Sequence, residues 1–137
     1  MQFLACGEIK VGTNYHSEHN LFPVGYKSVR TYSSMFTKGV KAKYTCEILD
    51  GGEKPIYKVT SSEDPDNPII KDSSTGCWVH ICKKVNDMSE NRKDKVTISG
   101  TERFGLLETT VRKVLEHLPD AEKSVNYNFR FRNVTAQ

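Results

Sequence analysis

Bulky and polar residues alternate along Tyr26-Lys27-Ser28-Val29-Arg30-Thr31-Tyr32, the period of a strand with one buried face. Lys43-Tyr44-Thr45-Cys46-Glu47-Ile48-Leu49 has the same character. Asp50-Gly51-Gly52 then signals a turn, and Pro55-Ile56-Tyr57-Lys58-Val59-Thr60 returns, so these two strands pair as an antiparallel hairpin. The alternation is clearest near the end of the chain. There Val125, Tyr127, Phe129 and Phe131 interleave with Asn126, Asn128, Arg130 and Arg132, predicting a last strand with an aromatic inner face. Shorter strands are predicted over Gly7 to Tyr15 and over Val96-Thr97-Ile98.

Two stretches change period. Cys77, Trp78, Ile81, Cys82, Val85 and Met88 recur at helical spacing, which predicts a helix over about Thr75 to Asp87, capped from Ser73-Ser74-Thr75. Leu107, Val111, Val114, Leu115 and Leu118 form a second helical stripe, ended by Pro119. Asn20 to Gly25 reads as a turn, and Ser61 to Pro68 as an exposed loop. Asn86 to Lys95 reads as a polar, mobile loop. The sum is about six strands and two helices. Hairpins dominate and no βαβ series occurs, which predicts one α+β domain with an antiparallel sheet across residues 1–137.

Length and composition agree. A chain of 137 residues suffices for a single core, and 27% charged residues is ordinary for a globular domain. No apolar run is long enough for a membrane span, and MQFLACGEIK lacks the basic start and long apolar stretch of a secretory signal. Cys6, Cys46, Cys77 and Cys82 therefore read as reduced intracellular thiols, and the sequon Asn133-Val134-Thr135 as incidental. The net charge of +3 is mild. Basic residues gather at Arg92, Lys93 and Lys95, at Arg112 and Lys113, and at Arg130 and Arg132, each group with acids nearby. This argues against a dedicated nucleic-acid domain.

Catalytic chemistry finds no foothold. The chain has neither GxGxxG nor GxxxxGK[ST], and His16, His19, His80 and His117 sit in no recognised nucleophile motif. Cys77, His80 and Cys82 suggest a metal by composition. On a helix turning 100° per residue, however, His80 and Cys82 point nearly opposite ways. No catalytic residue, cofactor or metal site is assigned.

Two segments resemble a known pair of motifs. Leu21-Phe22-Pro23-Val24-Gly25-Tyr26-Lys27-Ser28-Val29-Arg30-Thr31-Tyr32-Ser33-Ser34, followed by Tyr44-Thr45-Cys46-Glu47-Ile48, closely resembles the N-terminal FY-rich motif. Ser99-Gly100-Thr101-Glu102-Arg103-Phe104-Gly105-Leu106, the helix to Leu118-Pro119, and Val125-Asn126-Tyr127 resemble the C-terminal FY-rich motif. The first spans about 20–70 and the second about 96–132, in the family's order. The sequence departs from the family where Leu107-Glu108-Thr109-Thr110 replaces a Ser/Thr-Pro helix start, and where Ser124 replaces a cysteine.

The resemblance implies that both motifs are halves of one FYR domain. Its hosts are nuclear, chromatin-associated regulators: trithorax/MLL-type histone H3 lysine-4 methyltransferases, plant jumonji demethylases and the transforming growth factor beta regulator protein. In the methyltransferases the two halves mediate association of separate fragments, and in none of these hosts is the domain the catalytic part. A protein-interaction role in transcription regulation follows. The partner would be a transcription factor, a chromatin-complex subunit or another segment of the host chain. A purely architectural domain and a nucleosome or nucleic-acid contact module are the rival readings.

Within the motifs, Pro23 and Gly25 set a tight turn, and Tyr26, Ser28, Arg30 and Tyr32 share one strand face. Phe22, Tyr26, Phe104 and Tyr127 read chiefly as core, though Tyr and Arg are also favoured at interfaces. An inward Arg30 requires a fixed acceptor. Gly100, Phe104 and Gly105 sit where a loop docks before the second helix. A partner would either extend the final strand beside Asn128 and Arg130, or enter a groove lined by Trp78 and Phe104.

Overall fold

The computed structural model describes residues 1–93 and 96–134. Five strands lie in sequence order in one antiparallel sheet: β1 (Gln2–Ala5), β2 (Lys27–Ser33), β3 (Lys41–Leu49), β4 (Ile56–Ser61) and β5 (Ile69–Lys71). Three helices follow, α1 (Ser74–Met88), α2 (Gly100–Arg103) and α3 (Thr109–Glu116), with a 3-10 turn at Ala121–Lys123. The α+β class with an antiparallel sheet is the predicted one, with five strands instead of six among the described residues.

The central hairpin obeys the alternation. Ala42, Tyr44, Cys46 and Ile48 of β3 are buried, as are Tyr57, Val59 and Ser61 of β4. The register pairs Cys46 with Val59 and Ile48 with Tyr57, which stacks these side chains on one face. Trp78, Ile81, Phe104, Leu106, Val111 and Leu115 cover that face and complete the core. α1 is started by Ser73, whose hydroxyl accepts from the amide of Gly76 at 2.9 Å. α3 starts at Thr109 without a side-chain cap, in keeping with its unusual leading sequence.

Three predicted strands are corrected. Residues 7–15 form a loop with a single bridge, Glu8 to Val24. Gly7 has φ of 71°, which breaks the extended backbone, and the loop's side chains instead hold the β3–β4 turn. Lys10 pairs with Asp50 at 2.6 Å, and the Tyr15 hydroxyl donates to the Gly52 carbonyl at 3.0 Å. Val96 to Ile98 forms no strand and belongs to no ladder; Val96 and Ile98 pack against the core. Val125 to Arg132 is irregular, because a buried carboxylate takes the amides that a ladder would need. Lys95, part of one predicted basic group, and Thr135 lie outside the described residues.

Candidate functional site

The N-terminal motif is directed at the C-terminal one. Tyr26, just ahead of β2, and Ser28 and Arg30 within it lie on the core side, opposite the end of α2. That short helix is N-capped by Ser99, whose hydroxyl accepts from the Glu102 amide at 3.3 Å. It ends in a Schellman turn. The Gly105 amide donates to the Glu102 carbonyl at 2.9 Å, and the Leu106 amide to the Thr101 carbonyl at 3.2 Å. Gly105, at φ 82°, supplies the left-handed residue this turn requires.

The carbonyls at this end of the helix also receive side-chain donors from Tyr26 and from β2. The Tyr26 hydroxyl and the Ser28 hydroxyl each donate to the Phe104 carbonyl at 2.7 Å. Arg30 donates from Nε to the Arg103 carbonyl at 2.8 Å and from Nη2 to the Glu102 carbonyl at 3.1 Å. Three successive carbonyls at a helix C-terminus thus meet two hydroxyls and a guanidinium, whose positive charge suits that end of the helix. The fixed acceptor that Arg30 requires is main chain. Burial, the largest influence, holds the Tyr26 hydroxyl far above the ordinary tyrosine range, so it stays a donor at any working pH.

Tyr32 continues the seam by contact. Its ring packs edge-on to Trp78 with centroids 5.7 Å apart, and the Arg103 guanidinium lies 4.7 Å above it. Gly100 faces the first turn of α1, with its amide donating to Thr75 Oγ1 at 3.2 Å; a Cβ there would collide with the Ser74–Thr75 backbone. Phe104 packs edge-on to Tyr57 at 5.7 Å, and Phe22 does so on another side at 6.0 Å. Pro23 is buried, and the Gly25 amide donates to the Ile48 carbonyl at 2.8 Å.

Trp78 and Phe104 are both fully buried. The predicted groove lined by these two residues is therefore filled core, and neither offers a surface to a partner in this fold. The predicted last-strand edge also disappears. Tyr127 is buried with its hydroxyl 2.6 Å from Glu116 Oε2. The Arg130 and Phe131 amides donate to Glu116 Oε1 at 3.0 and 2.7 Å, and the Asn128 amide donates to the Glu18 carbonyl at 3.0 Å. Glu116 itself is fully buried, and the sequence reading missed it. Its position on the flank of the Leu115 stripe, ahead of an aromatic segment, was the available signal.

Several basic residues are engaged locally. Arg92 pairs with Asp87 at 3.2 Å, and Arg132 pairs with Glu122 at 3.5 Å while donating to the Glu116 carbonyl. Arg112 donates to the His19 carbonyl, and Arg130 lies 3.4 Å from His19 Nδ1. Cys77 faces the Tyr57 and Ile69 carbonyls, whereas Cys82 faces the Tyr32 hydroxyl. Among the described residues, no three His, Cys, Asp or Glu converge as metal ligands. All four cysteines are free thiols, and burial pushes Cys46 up to about 12 and Cys77 to about 11.

This closed pairing of two motifs defines the class. The chain matches the F/Y-rich N-terminus family over residues 1–51 and the F/Y rich C-terminus family over residues 54–132, and it belongs to the proteins that carry this pair. The two matches meet at the β3–β4 turn. Among curated relatives, transforming growth factor beta regulator 1 of Mus musculus is 30% identical over 115 residues, covering 84% of this chain and 28% of the relative. Histone-lysine N-methyltransferase 2D of Homo sapiens is 31% identical over 124 residues, covering 86% of this chain and 2% of the enzyme. Histone-lysine N-methyltransferase trr of Drosophila melanogaster is 26% identical over 125 residues, 85% of this chain and 5% of the enzyme. The chain thus spans less than a third of the regulator's length and a few per cent of the methyltransferases'.

Proposed function

We propose that this domain is a non-catalytic protein-interaction module of a nuclear, chromatin-associated regulator. The observation that carries the reading is the inward use of the family motif. Tyr26, Ser28 and Arg30 spend their polar groups on the Glu102–Phe104 carbonyls, so the motif builds a platform and leaves recognition to the surface. The relatives support the setting. A transforming growth factor beta regulator and histone-lysine N-methyltransferases share the domain, which makes up only a few per cent of each methyltransferase. The host is a transcriptional regulator or a histone-modifying enzyme, and the partner is a protein.

The test uses the full-length host. Replacing this domain by a flexible linker and purifying the tagged host from nuclei should remove at least one co-purifying subunit. Any host activity on a free peptide substrate should persist. An unchanged subunit set with reduced host abundance would contradict the proposal and favour a purely architectural role.

A further inference from the structure

The sheet ends at β5, and the pairing pattern identifies which of its main-chain groups point outward. The Ile48 amide donates to the Tyr26 carbonyl at 3.1 Å, so even-numbered residues of β3 face β2. The Ser62 amide donates to the Lys43 carbonyl at 2.8 Å, so odd-numbered residues face β4. Facing pairs in an antiparallel ladder alternate in this respect. With Glu47 opposite Lys58, the groups of Lys58 face β3, and those of Tyr57 and Val59 face β5. Their partners Lys71 and Ile69 face back towards β4. The amide and carbonyl of Ile70 therefore face outward at the sheet edge. Pro68, just before the strand, has no amide to offer.

A groove of about 450 Å³ follows this edge on the helix side, bounded by β5, α1 and the loops around Phe36 and Asp64. Its lining includes Lys71 from β5 and His80 and Lys84 from α1. The two lysines are close enough to His80 to add to the lowering of its pKa, after the larger effect of burial. Two acids lie nearby. Asp64, which also lines the groove, offsets one of the two lysine charges and accepts from Asn67 Nδ2 at 3.0 and 3.2 Å; Asp72 is turned towards Lys54, 3.9 Å away. Large apolar side chains flank the cations: Phe36 is 44% exposed and Ile70 54% exposed. An open strand edge, two lysines beside an imidazole and exposed apolar contacts on either side call for one kind of occupant.

We infer that the β5 edge takes an extended acidic segment of a partner protein as a sixth strand. Its outward main chain pairs with Ile70. Alternate side chains then point to opposite faces, placing carboxylates against Lys71, His80 and Lys84 on the helix side, and apolar groups against Ile70 on the other. The inference rests on the protein-interaction reading above and names the surface and the chemistry of its partner.

The probe is a capped, fluorescently labelled octapeptide of alternating valine and glutamate, with a valine–lysine octapeptide and a 20-base-pair DNA duplex as comparisons. By fluorescence anisotropy, the valine–glutamate peptide should bind at least tenfold tighter than the valine–lysine peptide. The double variant Lys71→Glu/Lys84→Glu, altered only at exposed positions, should invert that order. Saturation should slow hydrogen exchange of the Ile70 amide at least tenfold, and Ile70→Pro should abolish binding without removing a β4–β5 bond. Equal affinities, no inversion in a variant of unchanged melting temperature, or protection away from β5 would overturn the inference. So would preferential duplex binding with a steep salt dependence and an unprotected Ile70 amide. In the full-length host, a subunit lost on removal of the domain but retained by Lys71→Glu/Lys84→Glu would sink this inference alone. A subunit set indifferent to removal of the domain would sink the wider proposal.

Discussion

Replacing Tyr26 by Phe and Ser28 by Ala, singly and together, measures the seam between the two motifs. Both hydroxyls donate to one buried acceptor, the Phe104 carbonyl, and each does so at 2.7 Å. Either single change leaves that carbonyl one donor, so each should cost about 1 kcal/mol, the net worth of an ordinary hydrogen bond. The double change leaves it none. An unsatisfied buried acceptor adds a desolvation cost, so the pair should lose about 3 kcal/mol or more, with a coupling of about 1 kcal/mol beyond the sum. Trp78 is the chain's single tryptophan and is fully buried, so its fluorescence reports urea unfolding directly. The slope of free energy against urea should stay constant across the set, since the surface exposed on unfolding barely changes. Strict additivity, or single costs near zero, would refute the reasoning and mean that another donor or water serves the Phe104 carbonyl.

Other consequences follow from the same geometry. Glu116→Gln weakens the acceptor for Tyr127 and for the Arg130 and Phe131 amides, and should destabilise the domain by about 2 kcal/mol. Exchange of those two amides should rise first; unchanged exchange would deny Glu116 its anchoring role. Burial raises the hydroxyl pKa of Tyr26 and Tyr57, and burial with the Glu116 contact raises that of Tyr127, from an ordinary 10.0. Unfolded tyrosines lose their protons near that value while these keep theirs, so their contribution to stability is whole below it and declines as pH rises past it. Tyrosinate absorbance should therefore show a cooperative rise on alkaline unfolding, and a smooth titration of every tyrosine near its ordinary pKa would contradict this. An aromatic disulfide reagent at pH 8 should modify the partly exposed Cys6 first, with Cys46 and Cys77 reacting only as the domain unfolds. Equal rates for all four thiols would show an open core.

The central hairpin and α1 were legible because one rule governs them. β3 and β4 have one buried face, α1 has one buried stripe, and each imposes its own period on the sequence. The family motif was legible as a strand with Tyr26, Ser28, Arg30 and Tyr32 on one side, but its target was not. Main-chain carbonyls carry no sequence signature, so the demand of Arg30 for an acceptor could be stated and not located. The final segment misled for a related reason. Its predicted aromatic face is not kept: Tyr127 is buried, but Val125 and Phe131 are exposed, and a lone carboxylate from α3 claims the amides that would have paired with a neighbouring strand. α2 has the spacing of a capping box in Ser99-Gly100-Thr101-Glu102, but a single turn carries no apolar periodicity to mark it as a helix in the segment predicted as a loop. The β5 edge depended on strand order, which alternation along a single strand does not encode.

The central claim is that the N-terminal motif around β2 closes on the α2 segment of the C-terminal motif, and fragment complementation tests it most directly. Residues 1–90 and 91–137, produced separately, place Tyr26, Ser28 and Arg30 on one fragment and the α2 carbonyls on the other. Titrating one into the other and following circular dichroism and melting should give a one-to-one complex that melts cooperatively, while neither fragment does so alone. Arg30→Ala removes two charge-assisted bonds, at 2.8 and 3.1 Å, and should weaken assembly by about tenfold or more. Cooperative melting of either fragment alone, or an affinity indifferent to Arg30→Ala, would contradict the account.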